Sequence, residues 1–260
     1  MIITRVMSFD SFNLETLMAI NNIRSIIRML ILESVGELGF KMIFLAGLPG
    51  GGKSTLLKQL GIQDQFTTCN IDNFFEPQLM DELGTKNLHD FSQRFFDLRD
   101  IRDGRPLTPE ELEEYEGVKA LRGKERTLFR AAIKDFKAQV NEICMIGSNF
   151  IVDGTAANYG MITADAERFR NAGYDCAMIF VDIDAETSKE RNLKRGAEGG
   201  RAIYTGIIDD QASRLPGHLE PYREFFGEDR FFLVPNKGTF DEYKAEIEKI
   251  RPGINAFMGA

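Results

Sequence analysis

Five short apolar runs recur along the chain after residue 40, and stretches with helical patterns separate most of them. The runs lie at 42–46, 66–71, 149–154, 176–183 and 230–234. Because they are mostly apolar rather than alternating, they are typical of strands buried on both faces of a parallel sheet. Helices are predicted at 53–60, 160–171, 185–195 and 239–250. The pattern predicts an α/β fold in which helices cover both faces of a five-stranded parallel sheet.

Two segments fall outside this alternation. In residues 1–40, apolar positions between 10 and 34 recur at helical spacing, which predicts an N-terminal helical extension that packs on the main domain or docks a protein partner. The main domain is then 41–260. Within it, about residues 76–146 are polar and helical and separate the second strand from the third. We expect a helical insertion beside the carboxyl edge of the sheet, where open α/β folds bind ligands.

A glycine-rich loop with the pattern G-x-x-x-x-G-K-[ST] directly follows the first strand. The loop and the start of the next helix comprise Gly47, Leu48, Pro49, Gly50, Gly51, Gly52, Lys53, Ser54 and Thr55. Glycines let backbone N–H groups wrap a phosphate chain, the lysine supplies a cation for the terminal phosphates, and the serine hydroxyl can ligate Mg²⁺. The following helix directs its positive amino-terminal end to the same place. The sequence therefore predicts a nucleoside triphosphate site, with ATP and Mg²⁺ as the default ligands.

Two aspartates end predicted strands of the same sheet. Asp72, past the second strand, is expected to accept the proton of an attacking hydroxyl, although it would also suit the N-cap of the next helix. Asp153, at the end of the third strand, is expected to hold Mg²⁺ directly or through water; the alternative is an Asp-Gly turn. Thr155, Asn158 and Tyr159 follow it as candidate substrate contacts.

Arginines suited to phosphate chemistry lie near residue 195. Arg191 and Arg195 are four residues apart on a predicted helix, so they share one face. The glycines that follow predict a mobile tip that carries Arg201. Arginines that close over a transferred phosphate stabilise its developing charge, although salt bridges with neighbouring glutamates on a solvated helix would also explain these residues.

A basic stripe is predicted in the insertion, on one helix face between residues 119 and 137. It contains Lys119, Arg122, Arg126, Arg130, Lys134 and Lys137, at steps of three and four. The stripe would contact a phosphate-bearing substrate such as a nucleic-acid end, or it would be a solvated face neutralised by the acidic run at 110–116. The sequence leaves both open.

Composition and charge limit the partners and the cellular compartment that are expected for this protein. The formal net charge is −8, which argues against broad nonspecific binding of nucleic acid. We find no apolar run near the 20 residues that a membrane span requires. The three cysteines show no metal-ligand spacing and fit reduced thiols. These features predict a soluble cytoplasmic protein without a membrane partner.

Taken in order, the phosphate loop, "IDNFF", "IVDGTAANY" and "ERNLKRG…GGR" resemble the P-loop kinases that include polynucleotide 5′-hydroxyl kinases and zeta-toxin-type sugar-nucleotide kinases. The resemblance covers about residues 41–250. It implies a P-loop NTPase fold and transfer of the γ-phosphoryl group of ATP to a hydroxyl of a nucleotide, sugar nucleotide or nucleic-acid end. Lys53 and Ser54 would hold phosphate and Mg²⁺, Asp72 would act as base, and Arg191, Arg195 and Arg201 would form a lid.

The opening "FLAGLPGGGKST" further resembles zeta-toxin-like kinases of large tailed phages, in which case the protein would act in the host cytoplasm. One departure from the family leaves the substrate open. Family members often follow the base aspartate with another acidic residue and an arginine, whereas this chain has Asn73 and Glu76 there. The arginine that clamps the substrate is then either absent or supplied from elsewhere, by Arg94, Arg99 or Arg126.

Two other functions stay open at this level. In the first, the chain is an interaction protein that binds ATP without turnover and docks through residues 1–40. In the second, it is an NTPase whose activity depends on a partner subunit. Motor NTPases usually need a partner's arginine, and the arginines of this chain's own predicted lid argue against that class.

Overall fold

The structure is a computed structural model that describes residues 39–259, so the helices predicted at 10–34 lie outside the described residues. The strands are β1 (Phe40–Ala46), β2 (Thr67–Asn70), β3 (Phe150–Asp153), β4 (Tyr174–Asp182) and β5 (Phe231–Pro235). The helices are α1 (Lys53–Leu60), α2 (Asp72–Leu83), α3 (His89–Gly104), α4 (Pro109–Ile146), α5 (Tyr159–Asn171), α6 (Ala185–Ala197), α7 (Thr205–Arg214), α8 (Pro216–Phe226) and α9 (Phe240–Met258).

The five strands form one parallel sheet in the order β2-β3-β1-β4-β5, which confirms the predicted fold class. The first strand in sequence is therefore central, with β3 on one side and β4 on the other. At its carboxyl end, Leu45 is in register with Asp153 of β3 and with Ile179 of β4. The connection that leaves β1 leads to β2 on one side of the sheet, whereas the connection that leaves β3 leads to β4 on the other side. Such a switch point opens a crevice at the carboxyl ends of the strands.

Alternate residues of β1 enter two separate cores, which explains why the strand is apolar throughout. Met42, Phe44 and Ala46 pack on one face of the sheet, and Ile43 and Leu45 pack on the other. The first face is covered by α5, α7, α8 and the carboxyl-terminal part of α4, and the second by α1 and α9. Helices thus cover both faces, as the sequence predicts.

The insertion between β2 and β3 consists of α2, α3 and α4, and it begins at Asp72, directly after β2. Its longest helix, α4, has 38 residues, or about 57 Å at 1.5 Å per residue. A capping box between Thr108 and Glu111 starts it, with Pro109 in the first turn. Phe75, Leu79, Leu88 and Ala132 form a third core beneath the insertion. That core fixes α2 against α4 at the carboxyl edge of the sheet.

The sequence pattern does not predict α7 and α8, and it ends α9 too early. Gly206, Pro216, Gly217 and Pro221 interrupt the helical periodicity of the first two, although Pro216 fits the first turn of α8. The last helix continues through Pro252 because Ile254 and Phe257 beyond it are fully buried against the sheet. No helix in residues 39–259 is long and apolar enough to cross a bilayer.

Candidate active site

The backbone of the glycine-rich loop takes conformations that only glycine adopts readily. Gly47, Gly50 and Gly52 have φ angles of 135°, 70° and 89°. A Cβ atom at Gly47 would lie 2.4 Å from the Val181 carbonyl oxygen, and one at Gly50 would lie 2.9 Å from the Arg191 Cβ. The glycines are therefore required because the loop winds tightly and because β4 and α6 approach it closely.

Carbonyl oxygens of the loop are held by side chains from distant elements. Asn236 Nδ2 donates to the Gly51 oxygen at 2.7 Å, and the Tyr243 hydroxyl donates to the Gly52 oxygen at 3.1 Å. The Ser188 hydroxyl donates to Pro49 at 2.6 Å. Helix α1 begins at Lys53 without a side-chain cap from the described residues. The amide groups of its first turn consequently remain available to an anion.

Lys53 lies beneath the loop and pairs with the carboxylate at the end of β3. Its Nζ donates to the Gly47 oxygen at 2.9 Å and the Leu48 oxygen at 3.3 Å, and it lies 3.8 Å from Asp153 Oδ1. Burial lowers the pKa of Lys53; the charge of Asp153 opposes this shift, and that of Arg195 adds to it. Burial likewise raises the pKa of Asp153, against the effects of Lys53 and of Asn70.

Asp153 Oδ1 is buried and accepts no hydrogen bond from the described residues. The other carboxylate oxygen accepts a hydrogen bond from Asn70 Nδ2 at 2.9 Å. One oxygen is thus oriented and the other is left as an acceptor beside Lys53. Ser54, the other predicted Mg²⁺ ligand, is exposed in the first turn of α1, together with the half-buried Thr55.

Asn70 also fixes the start of the helix that carries Asp72. The Asp72 amide donates to Asn70 Oδ1 at 2.8 Å, so one asparagine side chain binds both the carboxylate of β3 and the first turn of α2. The N-cap residue of α2 is Ile71, which makes no side-chain cap, and Asp72 is the first helical residue. The alternative interpretation of Asp72 as an N-cap is therefore wrong.

The three predicted lid arginines divide between two places. Arg191 Nη1 donates to the Gly50 oxygen at 3.1 Å, which places it on the phosphate loop. Arg195 is exposed on the same helix, near enough for its charge to act on Lys53. Arg201 instead donates to Asp72 Oδ1, and its guanidinium lies 5.4 Å from the ring centre of Phe75. Arg201 thus contacts the predicted base, Asp72, at the start of α2.

The segment that carries Arg201, residues 196–204, is here named the strap. Asn192, which is fully buried in α6, exchanges two hydrogen bonds with Ile203, of 2.8 and 3.0 Å. The Leu88 amide donates to the Ala202 oxygen at 2.8 Å. The glycines of this segment predict a mobile tip, but these bonds fix its carboxyl-terminal half against α6 and the start of α3.

Two of the candidate substrate contacts after Asp153 stabilise the fold. Asn158 caps α5 by accepting a hydrogen bond from the Met161 amide at 3.1 Å. The Tyr159 ring packs 5.1 Å from that of Tyr222. Thr155 is half-buried just beyond the strand end, and it is the one of the three for which the structure gives no such packing role.

The acidic run at 110–116 does not neutralise most of the basic stripe. Glu111 pairs with Arg105, and Glu114 pairs with Arg94 through bonds of 2.6 and 2.5 Å. Only Glu116 pairs with a member of the stripe, Lys119. The half-buried Arg122 lies over two rings of α3. The remaining members are exposed and form no ion pair within residues 39–259: Arg126, Arg130, Lys134 and Lys137.

The sequence did not single out several residues of this site. Asn70, Ser188, Asn192 and Asn236 are polar residues on or beside apolar strands and helix faces. For Asn70 and Asn236 a signal was available, because each lies at the carboxyl end of an apolar strand, as Asp153 does. Ser188 and Asn192 lie four apart on α6, and their roles depend on which face of that helix meets the loop.

Comparison with known proteins agrees with this architecture. Residues 42–217 match the family described as an AAA domain, a range that contains the loop, both aspartates and the strap. A presumed kinase from Chloroflexus aurantiacus is 18% identical, with 85% of this chain and 99% of that chain covered and a TM-score of 0.50. No curated protein sequence matches the chain.

Two further solved structures have lower TM-scores. The PezAT chromosomal toxin–antitoxin system of Streptococcus pneumoniae is 15% identical over 92% of this chain and 98% of that one, with a TM-score of 0.48. The Pnkp1/Rnl/Hen1 RNA repair complex is 18% identical over 73% and 48%, with a TM-score of 0.43. On the family match and the sheet topology, the chain belongs to the AAA domain family and has a P-loop kinase-like fold.

Proposed function

We propose that the protein is an ATP-dependent phosphotransferase that moves the γ-phosphoryl group to a hydroxyl of a nucleotide, a sugar nucleotide or a nucleic-acid end. The observation that carries this proposal is a continuous polar network from Lys53 through Asp153 and Asn70 to Asp72. A phosphate loop alone supports nucleotide binding. Asp72, whose backbone amide ends this network at the start of α2, supplies a second carboxylate that would orient an acceptor.

The residues of the loop fit Mg²⁺-ATP. Left-handed glycines and a Cβ-free surface suit a polyphosphate. Asp153 Oδ1, which accepts no hydrogen bond from residues 39–259, suits a cation beside it. Mg²⁺ in nucleotide sites takes one or two protein ligands and completes its shell with phosphate oxygens and water. Asp153 and Ser54 would be those ligands. When bound, Mg²⁺-ATP supplies the transferable phosphoryl group.

Each side chain then has a distinct task. Lys53 would turn its Nζ from the loop carbonyls toward the terminal phosphates, and Arg191 and Arg195 would neutralise charge as it develops on them. Asp72 would accept a hydrogen bond from the acceptor hydroxyl and take its proton. Phosphoryl transfer depends mainly on positioning and electrostatic stabilisation. Held beside Arg201, the Asp72 carboxylate would orient the hydroxyl for transfer.

The exposed stripe supports an acceptor rich in phosphate, such as a nucleic-acid end. Its four exposed cations that form no ion pair within residues 39–259 add positive charge to one face of α4, on a protein with a net charge of −8. We expect the enzyme to act in the cytoplasm, that of a host cell if a phage encodes it. The position of Arg191 on the chain's own loop disfavours an NTPase that borrows an arginine from a partner.

The test is a screen with γ-³²P-labelled ATP against 5′-hydroxyl oligonucleotides, nucleotides and sugar nucleotides. We expect label transfer to one acceptor class by the wild-type protein and its loss in Lys53→Met. Lys58→Met, which removes an exposed lysine of the same helix α1, should retain it. ATP hydrolysis without transfer to any acceptor would favour an NTPase. ATP binding without any product would favour an interaction protein.

A further inference from the structure

Arg201 is a buried cation with too few partners. Its side chain is 14% exposed and donates to Asp72. Its Nε is buried and has no hydrogen-bond partner among residues 39–259. A guanidinium carries five N–H donors, and a buried donor left without an acceptor destabilises the fold. The fold therefore retains a cation whose hydrogen-bonding capacity its own residues do not fill.

The electrostatics agree with this geometry. Burial lowers the pKa of Arg201 to about 10, so the guanidinium stays charged at neutral pH although its surroundings do not fully stabilise the charge. On its flat face it lies over the ring of Phe75, which is itself buried. The Phe75 ring and the Asp72 carboxylate hold this guanidinium in place, while its Nε–H remains without an acceptor among residues 39–259. The guanidinium is therefore positioned to bind an anion.

The strap presents this cation on the acceptor side of the crevice. Arg191 contacts the loop at Gly50, whereas Arg201 contacts Asp72 and Phe75 of α2. The Leu88 amide donates to the Ala202 oxygen, and the Asn192 side chain bonds to both backbone groups of Ile203, so the strap is fixed immediately beside Arg201. The guanidinium is thus positioned by the folded strap, next to the group that would orient the hydroxyl.

We propose that Arg201 binds a phosphate group of the acceptor, close to the hydroxyl that is phosphorylated. This inference rests on the proposed function, and it assigns Arg201 to the acceptor instead of to ATP. Arginine binds phosphate through two parallel N–H···O bonds, and the Arg201–Asp72 contact lets one guanidinium span the anion and the base. The acceptor class is then a phosphorylated alcohol in which hydroxyl and phosphate are near neighbours, and neutral sugars and nucleosides are poor acceptors.

The binding test uses inorganic phosphate, with the loop already filled by Mg²⁺ and the β,γ-imido analogue of ATP. Calorimetric titration should show phosphate binding to the wild-type protein and at least about tenfold weaker binding to Arg201→Met, from the loss of charge-assisted hydrogen bonds. Asp72→Asn should bind phosphate more tightly, because the guanidinium no longer has a competing carboxylate. Arg214→Met, which removes an exposed arginine paired with Asp210, should bind as the wild type does.

Three results would overturn the inference: unchanged phosphate binding in Arg201→Met, weaker binding in Asp72→Asn, or acetate binding as tightly as phosphate. Arg201→Lys retains the charge without the planar fork and should bind phosphate with intermediate affinity. It also keeps the inference testable if Arg201→Met does not fold, which its thermal unfolding curve will reveal.

Steady-state kinetics separate this inference from the proposed function. In Arg201→Lys the KM for the acceptor should rise about tenfold, with the KM for ATP within about twofold of the wild-type value. A higher KM for ATP with an unchanged KM for the acceptor would assign Arg201 to ATP and overturn the inference alone. Phosphate binding that depends on Arg201, without transfer to any acceptor, would leave the anion site standing and remove the proposed function.

Discussion

Lys53 Nζ lies 3.8 Å from Asp153 Oδ1, and both side chains are only 14% exposed. The cation of the loop and the carboxylate of β3 therefore form a buried pair without the help of a ligand. Burial shifts the pKa of each toward its neutral form, and the charge of the other opposes that shift. Each charge is disfavoured by burial and stabilised by its partner. The ion pair therefore couples the phosphate loop to the carboxyl end of β3.

Removing both members of this pair should cost less stability than the two single changes predict. Either Lys53→Met or Asp153→Asn leaves a buried group without its partner, whereas the double variant removes both. We expect a coupling energy of about 1–2 kcal/mol from a double-mutant cycle, measured by urea unfolding without nucleotide. The more exposed pair Lys237–Asp182, with side chains 56% and 26% exposed, is the control, with an expected coupling of about 0–1 kcal/mol. Equal coupling in both pairs would show that burial is not the cause.

Mg²⁺ binding should weaken as the pH falls, and at a higher pH than an exposed aspartate would cause. Only the ionised carboxylate of Asp153 can ligate the cation, and burial raises the pKa of Asp153 above the usual aspartate range. Protonation therefore begins to compete at a higher pH than for an exposed aspartate, and below that pKa the affinity drops by about tenfold per pH unit. Mg²⁺ titration of the nucleotide complex measures this, with Asp153→Asn as the control for protonation of the nucleotide itself. A pH profile identical in the two proteins would remove Asp153 from the metal site.

Gly50→Ala should abolish nucleotide binding, whereas Gly61→Ala should not. Both glycines have nearly the same left-handed φ, 70° and 71°, so both substitutions carry a similar backbone strain of about 1 kcal/mol. Only the Cβ at position 50 would meet another residue, Arg191, at 2.9 Å; at position 61 nothing lies within 4 Å. Titration with a fluorescent ATP analogue distinguishes the two variants. Equal loss of binding in both would attribute the effect to stability.

Asn70→Ala should lower kcat by roughly tenfold, a size typical of residues that orient a metal ligand, and leave the KM for ATP nearly unchanged. Asn70 does not reach the loop, but it orients Asp153 and the first turn of α2. Asn149→Ala is a suitable control because Asn149 accepts a hydrogen bond from the Lys41 amide at the amino-terminal ends of the strands, away from the site. It should reduce stability without changing kcat. A fall in kcat of the same size in both would mean that Asn70 acts only through folding.

Local sequence predicted the part of the site that is contiguous in the chain. Residues 42–54 contain a buried strand, a loop whose glycines are set by backbone geometry, and a helix start, so the loop could be read directly from the residues. Asp153 was likewise recognisable because parallel strands bring their carboxyl ends to one edge. The sheet itself followed from five mostly apolar runs, of which the central strands β1 and β4 are the most fully buried.

Contacts between residues that are distant in the chain could not be predicted from the sequence. Arg201 and Asp72 are 129 positions apart, and nothing in either motif indicates that the strap arginine meets α2 and not the loop. The same holds for Asn236, whose contact with Gly51 spans 185 positions. Such contacts depend on how α2, α6 and α9 pack at the carboxyl edge of the sheet, and the sequence motifs do not specify that packing.

The most direct test of the account compares Asp72→Asn with the wild-type protein in single-turnover phosphoryl transfer, once an acceptor is known. We predict that Mg²⁺-ATP binds with the same affinity within about twofold, and that the transfer rate falls by roughly 10²–10⁴-fold, the contribution typical of a general base. Asp81→Asn, on the exposed side of the same helix, should transfer at the wild-type rate. An Asp72→Asn enzyme that transfers as fast as the wild type would contradict the account.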